Sequence, residues 1–120
     1  MSEIVLDDSR LTLDQGLKED VLQPLAEKLG LDMKDLAFLC IAAAVQSGLE
    51  PLAPKKKDPN NWHASSTEDV YVLLKLALAT QTPVAMAAQL VNRVLSEMQE
   101  LNASINDVGE LFHFFDSLTT

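Results

Sequence analysis

At 120 residues the chain has the length of one ordinary domain, and 18 acidic against nine basic residues leave a net charge of −9, which disfavours nucleic-acid backbones and anionic lipid and favours basic partners. Hydrophobic residues reach 48% while aromatics supply only 5%, so the core must come from Leu, Val, Ala and Met, a composition that suits closely packed helices. A single cysteine, Cys40, excludes an intrachain disulfide; with no secretion signal and no apolar run of the roughly 18 residues that a membrane span needs, a cytoplasmic location is expected.

From Glu3 to Leu13 the residues Ile4, Val5, Leu6, Leu11 and Leu13 flank an Asp-Asp-Ser turn, which predicts a short N-terminal strand or extended arm. Leu17, Val21, Leu25 and Leu29 then recur at helical spacing, and Gly30 closes that helix as a left-handed terminator. Because a proline cannot sit deep in a helix, Pro24 places the expected start near Asp20, about one turn earlier. Asp32 reads as the N-cap of the next helix, with Asp35 complementing its dipole. Leu36 to Val45 is apolar without interruption before Gly48, so this helix is expected to be central and buried on all sides, kept thin by Ala42, Ala43 and Ala44.

The one long irregular stretch, 48–66, separates an N-terminal half (1–47) from a C-terminal half (67–120) and holds three of the five prolines, three of the nine basic residues, the only Trp and one of the two His. Loops beyond about 12 to 15 residues are uncommon in compact domains and tend to be functional or disordered. Lys55, Lys56 and Lys57 form a solvated tip. Trp62-His63 must fold back on the core or stand out as an anchor.

Ser65-Ser66-Thr67-Glu68 is a capping box opening a largely apolar helix over Val70 to Ala79, and Thr82-Pro83 ends it and starts the next. The strongest pattern in the chain lies beyond Pro83: Val84, Ala87, Val91, Val94, Met98, Leu101, Ile105, Val108, Phe112 and Phe115 alternate three- and four-residue steps without a miss. A strict 3.5-residue period drifts by roughly 20° per heptad on a straight helix, so the stripe requires supercoiling or a bend. Ser104, read as a fresh N-cap, and Gly109 place that bend near Asn102. Flanking Ala88, Leu90, Leu95, Leu111 and Leu118 widen the stripe into the inner face of a bundle, while Phe114 falls off it.

Catalytic chemistry finds little purchase. Glu110 and His113 have the spacing of a carboxylate-histidine metal pair, but His63 has no Glu three residues before it to complete a second pair. The acidic pairs Asp7/Asp8, Glu19/Asp20, Asp32/Asp35, Glu68/Asp69 and Glu97/Glu100 read as caps and solvated faces. Cys40 lies among Leu39, Ile41 and Ala42, a setting for burial and not for a nucleophile. No nucleophile elbow, phosphate loop or dinucleotide fingerprint is present. Strand, helix, Gly30 turn and helix follow the order of a ribbon-helix-helix unit, yet Glu3, Asp7 and Asp8 stand where base and phosphate contacts demand basic and polar residues.

The expectation is therefore an all-α, single-domain bundle of about four or five helices with a short N-terminal strand or arm. Its expected role is non-enzymatic, without metal or cofactor: an acidic protein-binding module such as an accessory subunit, assembly chaperone, inhibitor or immunity-type protein. The residues expected to meet a partner are Lys55, Lys56, Lys57, Trp62, His63, Phe112, Phe114 and Phe115. A homodimer through the Val84 to Phe115 stripe is a corollary, and a nucleic-acid-associated complex built on the N-terminal unit is the alternative.

Overall fold

Helix formation begins at Gln15, five residues earlier than Pro24 alone would suggest, because Asp14 is a working N-cap: its backbone is extended and its carboxylate accepts the Leu17 N–H at 3.0 Å. The computed structural model describes residues 10–58, 62–63 and 83–118, with residues 10, 62, 63 and 83 described by their backbone. From Asp14 the chain runs through α1 (Gln15–Leu17), a π-helical turn (Lys18–Leu22) and α2 (Gln23–Leu29) as one rod. The expected start near Asp20 is thus corrected, and the π turn is the physical reason. Gln23 N–H bonds back to Lys18 C=O across five residues, and this wider turn just before Pro24 accommodates both the missing amide proton and the ring that would strike a preceding carbonyl in a regular helix. The extra residue also changes the inward row, which becomes Leu17, Leu22, Leu25 and Ala26, with Val21 only half-buried.

Gly30 ends this rod at φ +69° and Gly48 ends α3 (Met33–Ser47) at φ +67°. In both, the amide beyond the glycine reaches back over the last turn, Leu31 N to Ala26 O at 2.9 Å and Leu49 N to Ala44 O at 3.0 Å, the signature of a Schellman terminator. Asn102 performs the same task at φ +49°, with Ala103 N donating to Met98 O at 3.0 Å.

On α3 the residues Leu36, Ala37, Cys40, Ile41, Ala43 and Ala44 are buried, Phe38 and Leu39 are half-buried, and Ala42 and Val45 are exposed. Burial on all sides is therefore corrected to burial on a broad face, since the neighbouring elements among the described residues cover one side of the helix. Asp32 occupies the N-cap position with an extended backbone but makes no capping bond through its side chain.

The stripe divides into two helices. α4 (Pro83–Glu100) begins on its proline and lays Val84, Ala87, Ala88, Leu90, Val91, Val94, Leu95 and Met98 against α3, with further contact to the N-terminal rod. After Asn102 an irregular link carrying buried Ile105 leads to α5 (Val108–Ser117), which packs on α3. Its N-cap is Asp107, accepting Glu110 N–H at 2.8 Å, and not Ser104. The new helix has its own phase. Leu111, Phe114 and Phe115 point inward while Val108 and Phe112, on the sequence stripe, remain 39% and 48% exposed.

The described residues are thus all-α, four helices when the N-terminal rod is counted once, beside a strand pair of two residues each. In that pair β1 (Arg10–Leu11) runs antiparallel to β2 (Trp62–His63), with Arg10 opposite His63 and Leu11 opposite Trp62. Leu11 and Leu13 turn into the core. The capping box at Ser65 to Glu68, the helix expected over Val70 to Ala79, Thr82, and the strand expected at Ile4 to Leu6 lie outside the described residues. No described helix is long and apolar enough to cross a membrane.

Candidate functional site

Two features combine side chains in ways that a simple helical bundle does not require. The first is a buried polar clasp. Asp14, 7% exposed, accepts Leu17 N–H on one carboxylate oxygen and the N–H groups of Lys55 and Lys56 on the other, at 2.7 and 3.1 Å. Its own N–H donates to Oδ1 of Asn92 at 2.9 Å, and the Asn92 amide donates to Leu52 C=O at 3.1 Å. Asn92 has no exposed surface at all. Gln15 N–H to Lys56 C=O, Asp58 N–H to Leu13 C=O and Leu52 N–H to Gln89 C=O complete the backbone part, and Lys18 pairs with buried Asp58 at 2.5 Å.

The sequence 49–58 is therefore an ordered strap across α4 and the N-terminal rod, each of its bonds replacing one that the backbone would otherwise make to water. Burial pushes the Asp14 carboxyl up, but the Leu17, Lys56 and Lys55 amides and the Lys55 charge outweigh it and hold the group below its ordinary value of 3.8. Both oxygens are committed to backbone donors, which makes Asp14 a scaffold group.

The strap decides where the expected partner-binding residues fall. Lys55, Lys56 and Lys57 are exposed on it. Lys57 forms an isolated antiparallel bridge with Asp14 and Trp62-His63 pairs antiparallel with β1, so both the lysines and the Trp-His dipeptide lie alongside the extended run 10–14. The three phenylalanines lie apart from that run on α5. Among these, Phe114 and Phe115 are buried, at 9% and 8% exposure, while Phe112 is exposed. The physical reason is the fresh phase of α5, which carries Leu111, Phe114, Phe115 and Leu118 on its inner face.

The α5 edge is the second feature. Phe112 stays on the surface, its ring edge-on to Phe115 with centroids 6.1 Å apart, and Phe115 is in turn edge-on to Phe114 at 6.4 Å. Val108 stands one turn earlier in the same row and Asp116 one turn later. Glu110 accepts Asn106 N–H at 3.2 Å while its own N–H bonds Asp107, which pins the start of the helix. That engagement gives Glu110 a cap role, and His113 is exposed.

Elsewhere, Cys40 is fully buried and its thiol is pushed up to about 12 by burial, so it stays protonated at neutral pH. No three His, Cys, Asp or Glu side chains gather as a metal site among the described residues. A surface groove of about 280 Å³ lies between α2 and the end of α4, floored by Val21, Leu25, Met98 and Ile105. No protein-family model matches the chain, and comparison with curated proteins and with solved structures returns no match.

Proposed function

We propose that this chain is a non-enzymatic, acidic protein-binding module, of the accessory-subunit, assembly-chaperone, inhibitor or immunity type, that docks on a basic or apolar partner surface. The observation that carries the reading is Phe112: a large aromatic, half exposed, on a helix capped at its start and buried along its other face. Aromatic residues dominate the energetics of protein interfaces, and Phe112 shares its exposed row with Val108, so the helix presents an apolar pair that a partner can bury. Net charge supports the sign of the partner, since −9 repels acidic surfaces and steers basic ones. On this reading the protein acts where its partner is, in the cytoplasm.

Affinity capture from native cells at moderate salt, with the Phe112→Ala variant in parallel, tests this directly. A protein retained by the wild type is expected. If no protein is retained and the chain is strictly monomeric at micromolar concentration, the reading is overturned.

A further inference from the structure

Resting on that reading, we infer that the docking surface is the Val108–Phe112 edge of α5, and that its occupant is an amphipathic helix of a partner protein whose apolar face is flanked by Lys or Arg. Three observations converge on the edge. Its apolar part is contiguous, because Val108 and Phe112 are four residues apart on one helix and both exposed. Its aromatic is preorganised. The Phe112 ring leans on Phe115, whose own side chain is buried, so docking has little rotamer freedom left to remove.

Charge complementarity selects the occupant. Beyond Arg93, which pairs with Glu97 at 3.0 Å, the chain contains no Lys or Arg, yet it holds Glu100, Asp107, Glu110 and Asp116. Three of these acids, Asp107, Glu110 and Asp116, border or belong to α5 itself. Exposed apolar groups bordered by one sign of charge are matched by an apolar helix face flanked by the opposite sign. A second copy of the chain is disfavoured by the same charges, since a two-fold contact would set this acidic edge against itself. The lysines on the strap cannot relieve that repulsion in a two-fold contact made by α5 alone.

The probe is a synthetic amphipathic helix of Leu and Lys, with a Leu and Glu twin as control, titrated into the full-length, isotope-labelled protein while amide shifts are followed. The Leu-Lys peptide is expected to move α5 amides, to weaken as salt rises from about 0.05 to about 0.3 M, and to bind Phe112→Ala at least about tenfold more weakly. Val108→Ser is expected to weaken it in the same direction. Leu101→Ser, which removes a still more exposed leucine from outside α5, should leave binding unchanged and so separates a specific edge from general stickiness.

The inference is overturned if the cationic peptide does not bind at low salt, if the acidic twin binds as well, if Phe112→Ala binds undiminished, or if the shifts fall outside α5. Sedimentation that shows a dimer abolished by Phe112→Ala would instead assign the edge to a second copy, and that also overturns it. Cellular partners that remain bound to a well-folded Phe112→Ala variant would sink this surface while leaving the protein-binding reading intact.

Discussion

Val94 and Phe112 belong to one unbroken apolar stripe in the sequence, yet Val94 has no exposed surface and Phe112 is 48% exposed. The difference lies between α4 and α5 as wholes. On α4 the stripe and its flanking residues all face inward, because a single continuous helix preserves the phase of a periodic pattern over its length. At Asn102 the backbone turns left-handed and the helix ends. The pattern of side chains continues past this point, but nothing transmits its orientation. α5 then rotates to the face that fills the remaining space, the one bearing Leu111, Phe114 and Phe115. A residue's period predicts its neighbours along the helix, while its inward direction is decided anew at every break.

The contrast predicts a graded series. Val94→Asp places an unpaired charge in the α3–α4 contact and is expected to cost more than about 4 kcal/mol, so circular dichroism in urea should show a largely unfolded chain. A folded, fully stable variant would mean the α4 half of the stripe is not core. Asn92→Ala is next: it strips partners from the Asp14 N–H and the Leu52 carbonyl, and about 2 to 3 kcal/mol should be lost in denaturant titrations. A loss under about 1 kcal/mol would show that the clasp is not holding those groups.

Asp14→Asn is expected to cost about 1 to 3 kcal/mol at neutral pH by weakening charge-assisted bonds to backbone amides. Its pH dependence is the sharper signature. Because the folded pKa lies below the ordinary 3.8, the stability due to ionised Asp14 is complete above the unfolded value and disappears as pH falls through the folded one. The gap between wild type and variant should therefore be widest at neutral pH and close below about pH 4. A constant gap would place the effect in packing. At the small end, Phe112→Ala should cost less than about 1.5 kcal/mol, the worth of an aromatic edge contact, and Leu101→Asp should stay within about 0.5 kcal/mol. Thermal melts of both variants check that the α5 edge and the turn at Leu101 are surface.

Much of this architecture was legible along the chain. Gly30 and Gly48 terminate helices where their lack of a side chain suits a left-handed turn, Pro83 opens a helix, and Cys40 is interior, each for a reason that is local in sequence. Asp107 in place of Ser104 is a smaller miss, since both are good N-caps and only the bonded geometry distinguishes them. The clasp was not legible. Asn92 lies within Leu90-Val91-Asn92-Arg93-Val94, where an amide reads as the polar side of an amphipathic helix, and its partner Asp14 is 78 residues away. The available signal was indirect: Asp14, three residues before the apolar Leu17, is placed to cap a turn that starts at Gln15, which moves the helix start back. The exposure of Phe112 was equally hidden, because it follows from a rotation at Asn102 and not from any residue on α5.

The clasp has a consequence for how the chain finds this fold. The Asp14–Asn92 bond spans 78 residues and the strap bonds to Asp14 and Asn92 span 40 to 42, so closing them has an entropic cost that no neighbouring contact shares until α3 and α4 have met. These bonds have no partners to find in a chain whose two ends are still apart. They belong on the native side of the folding barrier, and weakening them should hasten unfolding while leaving the folding rate nearly unchanged. The strap, in these terms, is a latch that decides how long the assembled molecule lasts, and has little part in how quickly it assembles.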